Sequence, residues 1–86
     1  MPEISRFFGI VIRMYYDDHG IPHFHASYSG HEAKVGISPI QLIEGEIPRR
    51  ALSLVLEWTA LHQEELTENW QLARDEQKLN KIEPLE

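Results

Sequence analysis

The sequence has no cysteine, which excludes disulfides, a thiol nucleophile and thiolate metal sites. It has no apolar run approaching the ~20 residues that a membrane-crossing helix needs, and Arg13 already interrupts the first apolar stretch. Gly-x-Gly-x-x-Gly, the phosphate-binding loop and the Gly-x-Ser-x-Gly elbow are all missing, so dinucleotide, P-loop and α/β-hydrolase chemistry have no foothold. No repeat, linker or low-complexity tract stands out. The start, Met1-Pro2-Glu3, lacks the basic segment of a secretory leader. With no cysteine as well, the expected location is the cytoplasm, with no membrane association.

A basic surplus is also lacking. Net charge is −6, unevenly spread: residues 1–56 hold 6 acids against 5 bases, and residues 57–86 hold 8 against 3. A broad electrostatic grip on nucleic acid is therefore disfavoured, although a local basic patch in the first two thirds remains open.

What is present reads as one domain. A chain of 86 residues is enough for one and not two. An apolar content of 42% argues against disorder. A domain this short buries only roughly 60–65% of its unfolded surface, so a partner or a homo-oligomer can matter for stability.

Residues 6–16 are rich in β-branched and aromatic types and predict one strand. Phe8, Ile10, Ile12, Met14 and Tyr16 then share the core face, and Phe7, Val11, Arg13 and Tyr15 the other. Asp17 to Pro22 is a turn. Residues 23–28 alternate, with Phe24, Ala26 and Tyr28 opposite His23, His25 and Ser27. Ser29-Gly30 is a hairpin turn, and residues 31–37 give a third strand that Ser38-Pro39 ends. Ile40, Leu42 and Ile43 suit a short fourth strand or an extended segment.

Pro48 opens a helix to residue 74, with Leu52, Val55, Leu56, Leu66, Trp70 and Ala73 on its broad apolar face. Unbroken, it would run about 40 Å, more than a three-stranded sheet can cover, so a kink near Thr67 or an overhanging end is expected. The prediction is an α+β domain spanning residues 1–86. A small antiparallel sheet of three to four strands (about 4–44) is covered on one face by a long C-terminal helix (about 48–74), and residues 75–86 form a tail.

Several segments are similar to a bacterial family known as domain of unknown function 4160. They are Ile4 to Ile12, Asp18-His19, Pro22-His23-Phe24-His25, the stretch Pro48-Arg49-Arg50-Ala51-Leu52 with Leu56-Glu57-Trp58, His62, Leu66 and Trp70, and the ending Lys81 to Leu85. Pro-His-Phe-His after an Asp-His turn is the most specific part. The family often has Pro-Pro before the histidines, where this chain has Ile21-Pro22. The resemblance implies a small, stand-alone bacterial protein. Genes of this family often lie beside genes for domain of unknown function 2442 (DUF2442), which suggests a cognate protein partner in a toxin–antitoxin-like pair. No activity comes with the family name.

The chemistry-bearing residues begin with His23 and His25, two apart on a strand and so leaving the same face. Two imidazoles so placed can converge on one metal ion, with Asp17, Asp18 or His19 across the turn supplying a third ligand. Nitrogen and oxygen donors without thiolate suit a divalent transition metal such as Zn²⁺, Mn²⁺, Fe²⁺ or Ni²⁺. The same imidazoles, with His62 on the helix, can instead serve as general acid and base, or stand as ordinary polar residues of a solvated face. Arg13 and Tyr15 share their face and read as anchors for a partner or an anion. Arg49 and Arg50 sit at the positive end of the helix, where cations are disfavoured, so a salt bridge to Glu44 or Glu46, or a bound anion, is expected to hold them.

Three functional readings follow. The chain is an interaction module for a cognate protein, a small histidine-dependent ribonuclease in which Arg13, Arg49 and Arg50 hold phosphate, or a metal-binding protein using His23 and His25. Under all three, both histidines are expected outside the main core, so that changing them to alanine leaves the fold intact.

Overall fold

Five strands precede two helices in the computed structural model, which describes residues 2–86. The strands are β1 (Glu3–Phe7), β2 (Ile10–Arg13), β3 (His23–Tyr28), β4 (His31–Ile37) and β5 (Ile40–Glu46). They pair antiparallel with their sequence neighbours, in the order β1-β2-β3-β4-β5. The helices are α1 (Arg49–Leu61) and α2 (Gln63–Arg74). The expected α+β class is what the chain adopts. The strand count and the single helix need correction.

The segment read as one strand is a hairpin. Phe8 and Gly9 both have positive φ, 51° and 80°, as the two central residues of a type I′ turn require. A bulky residue at positive φ is rare, so nothing in Phe-Gly announces the turn as Asn-Gly would. The reversal also changes the faces. Phe7 pairs with Ile10 and lies in the core, its ring 5.3 Å from that of Trp58. Phe8 stands out at the turn and Tyr16 lies beyond the strand, both exposed. The Ser29-Gly30 turn shows the same pair of positive φ values, 50° and 83°, and forms where the alternation predicts it.

The fourth strand is longer than expected. Between Lys34↔Glu44 and Val35↔Leu42 the register shifts, leaving Ile43 as an extra residue on β5. Gly45 allows this edge to lie close to β4: its φ is +78°, and a Cβ there would run into the Glu32 carbonyl.

The helix breaks at His62, whose φ of −124° and ψ of 27° are not helical. The apolar period runs unbroken across the joint, through Val55, Trp58, Leu66, Trp70 and Ala73, so the pattern hides it. One turn upstream, the Thr59 hydroxyl donates to the Val55 carbonyl at 2.6 Å, a back-bond that bends helices. The break turns α2 towards the sheet end, where the Gln63 amide donates to the Ile37 carbonyl at 2.7 Å.

The residues after Arg74 are a structural strap, not a loose tail. The chain reverses at Glu76, with Gln77 N–H donating to Leu72 O at 2.8 Å. Leu79 and Ile82 are buried. Asn69, fully buried, both donates to and accepts from the Asn80 backbone at 2.9 Å. Ile82 N–H donates to Ile4 O at 2.8 Å, and so covers the β1 edge. Trp58 fixes the strap from beneath through an indole bond to Glu83 O at 2.9 Å. No helix among the described residues is long and apolar enough to cross a membrane.

Two substitutions should separate core from strap. Trp58→Ala removes a fully buried ring packed on Phe7 and Phe24 and should cost ~3–5 kcal/mol in urea denaturation. Asn69→Ala leaves the Asn80 backbone without its partners and should cost about 1–3 kcal/mol. An unchanged midpoint for Asn69→Ala would show that the strap is not held at this point.

Candidate metal centre

The register of β3 builds the site. Phe24 and Ala26 pair with Val35 and Ala33 and lie in the core. His23 and His25 leave the opposite face, their ring centroids 5.4 Å apart. The loop between β2 and β3 returns Asp18 to both of them. Its Oδ2 lies 3.1 Å from His23 Nε2 and 3.0 Å from His25 Nε2. One ligand atom from each of the three residues lies within 4.8 Å of the others.

The other ring nitrogens determine what those contacts mean. His23 Nδ1 lies 2.8 Å from Ile21 O, and a carbonyl only accepts, so Nδ1 carries the proton. His25 stands between two carboxylates, its Nδ1 3.0 Å from Glu32 Oε2 and its Nε2 3.0 Å from Asp18 Oδ2, so a neutral ring donates to one of them and meets the other with a lone pair. With the His25 proton given to Glu32, both Nε2 atoms of the neutral rings are unprotonated, and their lone pairs converge on a carboxylate oxygen. Three acceptors meeting at one point need a positive charge among them. A proton on His25 would satisfy Asp18 and Glu32 together but leave the His23 Nε2 lone pair against Asp18 Oδ2. A metal ion supplies it without that conflict. Metal bonds of 2.0–2.2 Å place neighbouring donors roughly 2.8–3.1 Å apart at right angles and about 3.3–3.6 Å apart at the tetrahedral angle, and the Asp18–histidine separations match the right-angled case. Ligating histidines also donate their second N–H to a carboxylate or a backbone carbonyl, as both do here.

Apolar rings enclose the pair. Trp70 of α2 packs on His23 at 5.1 Å between centroids, and Tyr15 meets His25 edge-on at 4.6 Å. The Arg74 guanidinium stacks on Trp70 at 4.2 Å and donates to Tyr16 O at 2.8 Å, which anchors the start of the Asp18 loop. His23 is therefore not outside the core, contrary to the sequence expectation. The bend at His62 brings α2 to the sheet end and covers it.

Among the other candidates, Asp17 and His19 are exposed and stand outside the Asp18–His23–His25 group. His62 sits at the helix joint, bonded to Glu65 Oε1 at 2.6 Å and packed on Trp58, and is not part of that group. Arg49 and Arg50 are exposed at the start of α1 and form no ion pair among the described residues. The bridge expected to Glu44 is not made: Glu44 meets Lys34 instead, at 3.5 Å. Arg50 borders a cleft of about 210 Å³ with Phe8, Tyr28 and Leu54, separate from the histidines. Arg13 and Tyr15 do lie with them: Arg13 pairs directly with His25 in the β2–β3 register. Sequence reading missed Glu32 and Trp70 as site residues. Glu32 was within reach, because the predicted Ser29-Gly30 hairpin already sets it opposite Ser27, one step from His25.

A family model described as a domain of unknown function, DUF4160, matches residues 9–71, a span that includes Asp18, His23 and His25. No curated protein and no solved structure gives a match.

The tautomers are directly measurable. Long-range proton–nitrogen correlation spectra at neutral pH should show Nδ1–H in both His23 and His25, with Nε2 unprotonated and moving when metal is added. His23→Ala should lower the melting temperature more than His25→Ala, because only His23 is sealed against Trp70. Equal melting temperatures would count against the packing role of His23.

Proposed function

The chain belongs to the DUF4160 family, and we propose that it works as a metal-binding domain in which Asp18, His23 and His25 hold one divalent transition-metal ion. The observation that carries this reading is the convergence of both Nε2 atoms on Asp18 Oδ2 while each Nδ1 faces another oxygen acceptor, Ile21 O or Glu32 Oε2. Two imidazoles and a carboxylate, with no thiolate, suit Zn²⁺, Mn²⁺, Fe²⁺ or Ni²⁺. Three protein ligands leave at least one coordination position for an exogenous ligand, the pattern of reactive rather than structural sites. The fold supplies rigidity: His23 and His25 stand on the central strand, and only Asp18 arrives on a loop.

A second reading, an interaction module for a cognate protein, draws support from the far edge of the sheet. The strap covers the β1 edge, whereas β5 ends the sheet with exposed Leu42 and Ile43. An open edge is where a partner strand adds. The partner in this reading is a small protein of the DUF2442 family, in a toxin–antitoxin-like pair, or a second copy of this chain, in a homo-oligomer. The ribonuclease reading has less support, since His62 is committed to Glu65 and Arg49 and Arg50 lie away from the histidine pair.

Calorimetric titration of metal-stripped protein with Zn²⁺, Mn²⁺, Fe²⁺ and Ni²⁺ tests the main reading. One ion per chain is expected for at least one metal. Asp18→Ala should weaken its binding by at least ~100-fold, since even partners of a ligand are worth 10–100-fold. Protons compete with metal for Nε2, so affinity should fall as the solution is acidified. Uptake no greater than that of the His23→Ala, His25→Ala double variant would end the proposal.

A further inference from the structure

We infer that the open coordination position of this centre takes a small oxyanion, a carboxylate or phosphate group, and that Arg13 is its second anchor. The inference rests on the metal reading above and names the ligand class of that site.

The outer face of the sheet carries one continuous cross-strand row: Glu3, Arg13, His25, Lys34, Glu44. Each member faces the next directly, at the ~5 Å Cβ spacing of paired residues. Two cations thus flank a metal ligand, an arrangement that repels a dication unless anions answer it. The charges can be followed one by one. A divalent ion is balanced by Asp18 and by Glu32, the carboxylate on His25 Nδ1. Lys34 is met by Glu44 at 3.5 Å.

Arg13 has no such answer. Its cross-strand neighbour Glu3 is taken by Arg6, which donates to both carboxylate oxygens at 3.0 and 2.9 Å. That hydrogen bond holds the Glu3 carboxyl below its usual range; Arg13 is the last of the contributors. The one side-chain bond of Arg13 is a long 3.5 Å contact to the Ser27 hydroxyl. No ion pair among the described residues includes it. A half-buried guanidinium without a carboxylate, directly across from a metal ligand, is matched by an oxyanion that places one oxygen on the metal and offers others to the guanidinium fork. Tyr15, edge-on to His25, walls the same side.

Cobalt substitution tests the two readings separately. The probe is the visible absorption of Co²⁺ added to the metal-stripped full chain. Saturable Co²⁺ bands that Asp18→Ala abolishes are expected first; their absence overturns both the metal centre and its ligand. Methyl phosphate and acetate are then titrated in turn into the cobalt protein. A saturable band shift with either supports the inference. A shift with methyl phosphate alone assigns a phosphate ester, and with acetate alone a carboxylate. Arg13→Gln should weaken that titration by at least about tenfold. Arg49→Gln should not, because Arg49 is exposed at the start of α1 and stands outside the cross-strand row. Cobalt bands that neither anion moves, or an Arg13→Gln titration equal to that of the unsubstituted chain, overturn the oxyanion while leaving the metal centre standing. Circular dichroism of each variant confirms that the comparison is between folded proteins; if Arg13→Gln fails to fold, Arg13→Lys takes its place. That change keeps the charge but loses the fork and should still weaken the titration, so one matching the unsubstituted chain would count equally against Arg13.

Discussion

The register of β3 is the constraint on which the remaining structure depends. It is the middle strand of five and pairs on both sides, so it cannot slip without breaking two ladders. A one-residue shift would take Phe24 and Ala26 off the Trp58 side of the sheet and turn both histidines away from Asp18. The apolar demand of Phe24, set against Trp58 and opposite Val35, therefore fixes where His23 and His25 point. Core packing and site geometry are settled by the same alternation. The site needs no separate device to aim its imidazoles, only acceptors to orient them, and Ile21 O and Glu32 provide these.

Burial then distinguishes the two histidines. His23 sits under Trp70 and is almost sealed, whereas His25 borders the outer face. A sealed imidazole with its Nδ1–H on a backbone carbonyl has one neutral tautomer available, in which Nε2 presents its lone pair to Asp18. The helix pair contributes through the same contact. α2 reaches the sheet end only because the helix bends at His62, and Arg74 at its far end fixes both Trp70 and the carbonyl of Tyr16. The bend that shortens the helical face thus also walls the site.

Local periodicity made much of this legible. The alternation of residues 23–28, the Ser29-Gly30 turn and the third strand all follow from period-two patterning and turn chemistry, and so does the shared face of His23 and His25. The Phe8-Gly9 hairpin was hidden because Phe is a poor signal for positive φ, and the error carried Phe7 to the wrong face. Helix length pointed to a kink near Thr67; its actual place at His62 was hidden because the apolar phase continues through it. The strap was hidden because its attachment is mostly backbone: Asn69 holds Asn80, and Ile82 holds Ile4, through groups that every residue possesses. Of the three polar residues in the turn, composition could not say which one returns to the histidines; the loop path selects Asp18 over Asp17 and His19.

The two edges of the sheet are treated differently, and this keeps the proposed roles apart. The strap and the Lys81–Glu3 carbonyl bond occupy the β1 edge, leaving no ladder there for another chain. On β5, the extra residue Ile43 and the acids Glu44 and Glu46 discourage repetition of the sheet without covering it. A second acidic copy pays a repulsion on that edge that a basic strand would not. Glu44 links this edge to the outer row through Lys34, and Lys34 faces His25.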